Sequence, residues 1–225
     1  MADFNQAAQK VLRLEGGYQN NPADAGNYNA YDSQGRKSKW RQHFNNLRAG
    51  TNHGISAWTY SSVLGREVSA AEMKALPRQT ALDIYDRLYW DKIKGDQINN
   101  QAIAELTFDS IVNQGGNGVK MVQSTLNFLG NDLAVDGVVG PITLRALNQA
   151  PVGGFLGKLL EIRAEAYKRL ASRLPENKVF LRGWLNRLRD WAETYKHLIP
   201  TNAGAGMSRL LFGGIAIYIL YKMAK

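Results

Sequence analysis

The sequence predicts a mainly α protein with a small irregular, β-containing lobe near its N-terminus and a hydrophobic helix at its C-terminus. Three observations carry this. Apolar residues recur at helical spacing near both ends of the body: Phe4, Ala7, Ala8, Val11 and Leu12, then Phe180, Trp184, Leu188, Trp191 and Tyr195. Residues 16–60 lose that period and are rich in Gly, Asn, Ser and Tyr, the composition of loops and a short hairpin. After Pro200 the chain turns to Ala and Gly, then runs uncharged from Leu210 to Tyr221.

The first helix carries the first chemical signal. Asp3 with Gln6 reads as a capping box at its start, and Gly16-Gly17 as its left-handed stop. The next place on the apolar stripe is Glu15. A carboxylate turned inward at a helix C-terminus is disfavoured as an anion by desolvation and by the helix field. Both raise its pKa, as a general acid near neutral pH requires. The plainer alternative is a helix-end glutamate turned to solvent.

Asp24 follows nine residues later in the turn Pro22-Ala23-Asp24-Ala25-Gly26, and Thr51-Asn52-His53-Gly54-Ile55 comes after a polar excursion. That excursion, Asn27 to Gly50, carries Tyr28, Tyr31, Trp40 and Phe44 among several Arg and Lys residues. Two readings stand for it: sugar-stacking rings with bases for acidic groups, or a surface loop whose aromatics pack locally.

Ser69 and Glu72 form a second capping box, and Pro77 opens a helix running to about Lys94. On it Tyr85, Tyr89 and Trp90 read either as core or as groove lining. Residues 99–114 make a helix ended by Gly115-Gly116, with Asp109 and Asn113 one turn apart. Asp109 reads as a buried structural carboxylate. Val119, Val122, Leu126 and Leu129 mark the next helix, a loop leads from Asn131 to Gly140, and Pro141 starts another. Two long helices close the body, the first through Phe155, Leu159, Arg163, Tyr167 and Leu170. The expected division is 1–97, 98–199 and a linker with hydrophobic helix over 200–225.

Composition narrows the classes. The chain has 225 residues, no cysteine and a formal net charge of +9. Disulfides and thiolate metal sites are excluded. The three histidines, at 43, 53 and 197, show no metal-ligand spacing, and no cofactor is expected. The basic balance suits an acidic wall polymer or an anionic membrane. No nucleic-acid reading module is present. The amphipathic start is expected not to be a signal peptide.

The motifs, taken together, resemble a known family. EGGY at 15–18, the turn around Asp24, TNHGI at 51–55, YDRLYW at 85–90, FDSIVNQG at 108–115 and DGVVGPIT at 136–143 are similar in order and spacing to glycoside hydrolase family 108. These are the N-acetylmuramidases of phage lysis modules and bacterial secretion-activator proteins. The resemblance covers roughly residues 4–195. It implies a lysozyme-like helical fold and cleavage of the β-1,4 bond between N-acetylmuramic acid and N-acetylglucosamine in bacterial peptidoglycan. It also implies Glu15 as the acid, with Asp24 and Thr51 holding a water. Tyr18, Asn52, His53, Tyr89 and Asn113 are the expected substrate contacts, and DGVVGPIT resembles the family's peptidoglycan-binding module. Relative to the family, residues 27–50 are an insertion. The alternatives are a lytic transglycosylase, which needs only the glutamate, and a non-catalytic wall-binding virion structural protein.

The tail carries a separate expectation. Residues 203–224 would make a helix of about 33 Å, against a hydrocarbon layer of about 30 Å. Arg209 and Lys222 would snorkel toward the two interfaces. That predicts a membrane-associated enzyme, anchored in a virion membrane or a host inner membrane, acting on the periplasmic wall beside other virion proteins.

Overall fold

The structure, a computed structural model, describes residues 1–14, 17–39, 45–173 and 178–200. Two compact units divide the chain: Ala8–Arg87 form one, and Met1–Ala7 with the chain from Leu88 onward form the other. The architecture is mainly α with a small β lobe.

Helix α1 (Phe4–Leu14) buries the predicted stripe, with Ala7, Ala8 and Val11 inaccessible to solvent. Asp3 Oδ1 accepts from the Gln6 amide at 2.9 Å. The reciprocal bond of the expected capping box is made elsewhere: the Asp3 N–H donates to Gln101 Oε1 at 2.7 Å.

The β lobe belongs to the Ala8–Arg87 unit. Strands β1 (Thr51–Asn52) and β2 (Ile55–Ser56) form an antiparallel hairpin. Its turn residues, His53 and Gly54, have φ of 50° and 73°, the two positive values that a tight two-residue hairpin requires. Ser56 caps α2 (Ala57–Leu64) and the predicted Ser69–Glu72 capping box starts α3 (Ala70–Lys74). Helix α4 (Arg78–Tyr85) follows from Pro77. Ala49, Ala57, Val68 and Met73 make the core here, with Tyr18 and Tyr60 packed on it.

The polar excursion is bolted down by asparagines in its described part. Asn29 is buried and donates through Nδ2 to the Leu47 and Val68 carbonyls, while its Oδ1 accepts from the Val68 amide. Backbone bridges pair Tyr28 with Arg48 and Tyr31 with Lys37. Of its aromatics, Tyr28 donates to the Pro22 carbonyl and Tyr31 lies under the Lys37 ammonium. Trp40 and Phe44 lie outside the described residues.

The π-helical turn Asp86–Trp90 begins in the first unit and ends in the other, where α5 (Asp91–Ile93) follows. Trp90 is fully buried against Phe108 (5.5 Å between ring centres) and Phe4 (5.8 Å). It packs so tightly on Gly95 that a Cβ there would fall 2.1 Å from the indole. Tyr85, in the first unit, is likewise buried. Helix α6 (Gln101–Gln114) is buried from Ala102 to Ile111. It packs on α7 (Gly116–Phe128) and α9 (Val152–Arg173), with α8 (Pro141–Gln149) on α7 and α10 (Lys178–Thr194) on α9. Asp109 pairs with Arg163 and Arg187, each at 2.7 Å.

The expected C-terminal hydrophobic helix is corrected. No helix among the described residues is long and apolar enough to cross a membrane. The longest, α9, carries Lys158, Glu161, Arg163, Glu165, Lys168 and Arg169 along its length, and α10 is similarly charged. Residues 203–224, on which the lipid-bilayer contact and membrane localisation rested, lie outside the described residues. An apolar run read from sequence measured hydropathy alone, and the described fold contains no spanning element.

Candidate active site

Asp24 is placed by its own turn. It caps the short 3-10 turn Ala25–Asn27, with Oδ1 accepting from the Gly26 amide at 2.9 Å. Its other oxygen, Oδ2, accepts from Gln19 Nε2 at 2.9 Å. The half-buried carboxylate is therefore oriented by two neutral donors, and each oxygen keeps lone-pair capacity for a further partner.

Gln19 carries the arrangement onward. Its Nε2 also donates to Asn27 Oδ1 (3.1 Å), and Asn27 Nδ2 donates back to Gln19 Oε1 (2.9 Å). Asn27 is completely buried and donates as well to the Asn21 carbonyl. Thr51 Oγ1 closes the chain by donating to Asn27 Oδ1 at 2.7 Å. Asp24 and Thr51, 27 positions apart in the sequence, thus share one continuous network through Gln19 and Asn27.

The backbone reinforces this. Gln19 and Thr51 exchange both amide–carbonyl bonds, at 2.9 and 2.8 Å. Gly50 has φ +92°, and a Cβ there would fall 2.5 Å from the Gln19 carbonyl oxygen. Only glycine lets the two segments approach this closely.

The remaining predicted residues separate into two groups. Tyr18 donates to the Ala49 carbonyl at 3.0 Å, and the Lys74 ammonium sits 5.2 Å from its ring centre. Asn52 is buried, and its amide is used within the fold: Nδ2 serves the Met73 and Lys74 carbonyls and Oδ1 takes the His53 amide. His53 sits at the hairpin tip, where its carbonyl accepts from Tyr85. Tyr89 and Asn113 belong to the other unit. Tyr89 lines a cavity of about 300 Å³ with Leu88, Gly115 and Gly137. Asn113 is exposed at the end of α6 and donates to the Asp109 carbonyl. Glu15 and Gly16 lie outside the described residues. The last described residue of α1, Leu14, immediately precedes Glu15 in sequence.

Gln19 and Asn27 were not legible as site residues. Asn27 stands where the polar excursion begins, and only its position directly after the Asp24-Ala25-Gly26 turn marks it. Among the described residues no group of three or more His, Asp or Glu side chains could hold a metal ion.

Comparison with known proteins gives the class: a glycoside-hydrolase type of chain with an appended helical module. The sequence model described as Glycosyl hydrolase 108 matches residues 8–115, and that of a Predicted Peptidoglycan domain matches residues 117–189. Among solved structures the chain is similar to SagA of Brucella abortus. The two are 30% identical, the match covers 87% of this chain and 94% of that one, and the TM-score is 0.65. No curated protein matches. The chain belongs to the glycosyl hydrolase 108 family, as an enzyme that hydrolyses peptidoglycan and carries a peptidoglycan-binding module.

Proposed function

We propose that the enzyme is an N-acetylmuramoylhydrolase of the lysozyme type. It cleaves the β-1,4 bond from N-acetylmuramic acid to N-acetylglucosamine with Glu15 as general acid. In this reading Glu15 delivers its proton to the glycosidic oxygen as the bond from that oxygen to the muramic C1 breaks. Asp24 takes a proton from the attacking water and stabilises the positive charge developing on the ring. Thr51 orients the water.

The observation that carries the reading is the network from Asp24 through Gln19 and Asn27 to Thr51. Because the Thr51 hydroxyl proton goes to Asn27, its oxygen presents lone pairs, which can accept from a water. Asp24, held through neutral donors, remains available as base. A transglycosylase, using the sugar's own hydroxyl as nucleophile, needs neither arrangement.

Kinetics on purified peptidoglycan test it. Glu15→Gln is expected to lower kcat by about 10²–10⁴, the usual worth of well-placed acid catalysis, with the fold intact. Asp24→Asn is expected to be comparably severe. A Glu15→Gln enzyme retaining more than about a tenth of turnover would remove Glu15 from the acid role.

A further inference from the structure

A cavity of about 520 Å³ opens on the second unit, between the end of α6 and helices α7, α9 and α10. Its size is that of a small-ligand site, and its lining combines three chemistries. Asn113, Gln114 and Asn117 bring amides, Lys120 and Arg169 bring cations, and Tyr167 and Trp184 bring rings. No Asp or Glu stands among the described lining residues. Asp136, which is not part of the lining, also interacts with Lys120.

The wall is built from below. Arg163 has no exposed side-chain surface, and it donates through Nε to Gln114 Oε1 (3.2 Å) and through Nη2 to the Tyr167 hydroxyl (3.3 Å). Its third contact, the 2.7 Å pair with Asp109, fixes the guanidinium against α6. Gln114 and Tyr167 are thus each anchored by a hydrogen bond from a buried guanidinium.

Above them the rings form a platform. Trp184 stacks on Tyr167 at 5.1 Å and 26°, and on Phe180 at 6.0 Å and 27°. Phe180 is 38% exposed and Trp184 half-buried. An aromatic face of this kind suits the apolar face of a pyranose ring, and the nearby amides suit an N-acetyl group.

We propose that this cavity is a non-catalytic binding site for an anionic, N-acetylated saccharide, namely a muropeptide unit. Its sugar lies on the Trp184 platform, its N-acetyl group meets the Asn113 and Asn117 amides, and its carboxylate faces Lys120 and Arg169. The proposal rests on the peptidoglycan reading of the chain but not on the roles of Glu15, Asp24 and Thr51. Holding wall at this site raises its effective concentration for the catalytic unit on the same chain. It also assigns Asn113 to retention of the wall and not to the bond being cut.

Calorimetric titration of the full chain tests it, with N-acetylglucosaminyl-N-acetylmuramoyl-tetrapeptide as probe and the neutral N,N′-diacetylchitobiose as comparator. The glycosidic bond of that probe runs from glucosamine to muramic acid, so the proposed reaction does not consume it and the titration reads binding. The muropeptide is expected to bind at least about five-fold tighter than diacetylchitobiose, the scale of one or two exposed ion pairs. Lys120→Gln with Arg169→Gln is expected to erase that difference, and Trp184→Ala to weaken both sugars. If Trp184→Ala fails to fold, Trp184→Phe and the exposed charge pair carry the test. No binding by the wild-type chain, equal affinity for the two sugars, or affinities unchanged in these variants overturns the site. So does muropeptide binding that is lost in Asp24→Asn alone. Failure of the Glu15→Gln kinetics, by contrast, leaves this result standing.

Discussion

Thr51 Oγ1 and Asn27 Oδ1 are joined by a 2.7 Å hydrogen bond in which the threonine donates. The direction matters, because it leaves the threonine oxygen as an acceptor. Thr51→Val removes the acceptor while keeping the shape, and is expected to lower kcat about ten-fold, one hydrogen bond's worth. Thr51→Ser is expected to stay within about three-fold, since it keeps the oxygen. Full turnover in Thr51→Val means that the water is held by another group.

Asn27 is expected to be costlier to stability than Thr51. Asn27→Ala strips partners from Gln19, Thr51 and the Asn21 carbonyl at a fully buried position. The expected loss is about 2–4 kcal/mol, from unsatisfied buried polar groups and a small cavity. Urea unfolding measures the stability, and kcat is expected to fall with it as Asp24 loses its Gln19 anchor. A stable, fully active Asn27→Ala separates Asp24 from Thr51 functionally.

Asp109 gives a stability and pH prediction for the second unit. Burial pushes its pKa up, but the charges and hydrogen bonds of Arg163 and Arg187 outweigh burial and hold it below the usual carboxylate value. A depressed folded pKa means the unfolded chain binds the proton more readily. The contribution is therefore present above the ordinary carboxylate range and is lost as pH falls through the folded value. Glu72, at about 2 through its bonds to Arg66 and Ser69, acts in the same direction. Urea midpoints are expected to hold from pH 7 to about 5 and to fall below pH 4. Asp109→Ala is expected to cost about 3–5 kcal/mol at pH 7, because it strands two guanidinium groups. A loss under 1 kcal/mol contradicts the ion triad as a structural anchor.

Stereochemistry follows from a held water. Attack from the face opposite the leaving sugar, with Asp24 as base, inverts the anomeric centre. Proton NMR of the first-formed reducing end is expected to show the α anomer before mutarotation. The β anomer appearing first makes Asp24 a nucleophile.

Much of the fold was legible because helices advertise themselves by period. The stripe through Ala7, Ala8 and Val11, the Ser69–Glu72 box and Pro141 at the head of α8 are all local signals, and all are present. The core reading of Tyr85 and Trp90 followed from aromatic size and helical spacing. What stayed hidden was made by loops returning to distant partners. Amides such as Gln19 and Asn27 have no periodicity, and their pairing depends on how the turn around Asp24 folds. Arg163 lies on a visible apolar face of α9, but nothing in that spacing names Asp109 as its partner. The tail misled for the opposite reason: hydropathy is a strong local signal, and it says nothing of what the folded body contains.

The most direct test of the account is mass spectrometry of the fragments released from purified peptidoglycan. Disaccharide-peptides ending in reducing N-acetylmuramic acid are expected, with their release by Glu15→Gln slowed about 10²–10⁴-fold. Fragments ending in 1,6-anhydro-muramic acid would contradict it, because the sugar's own hydroxyl, and not a water held by Asp24 and Thr51, would then be the nucleophile.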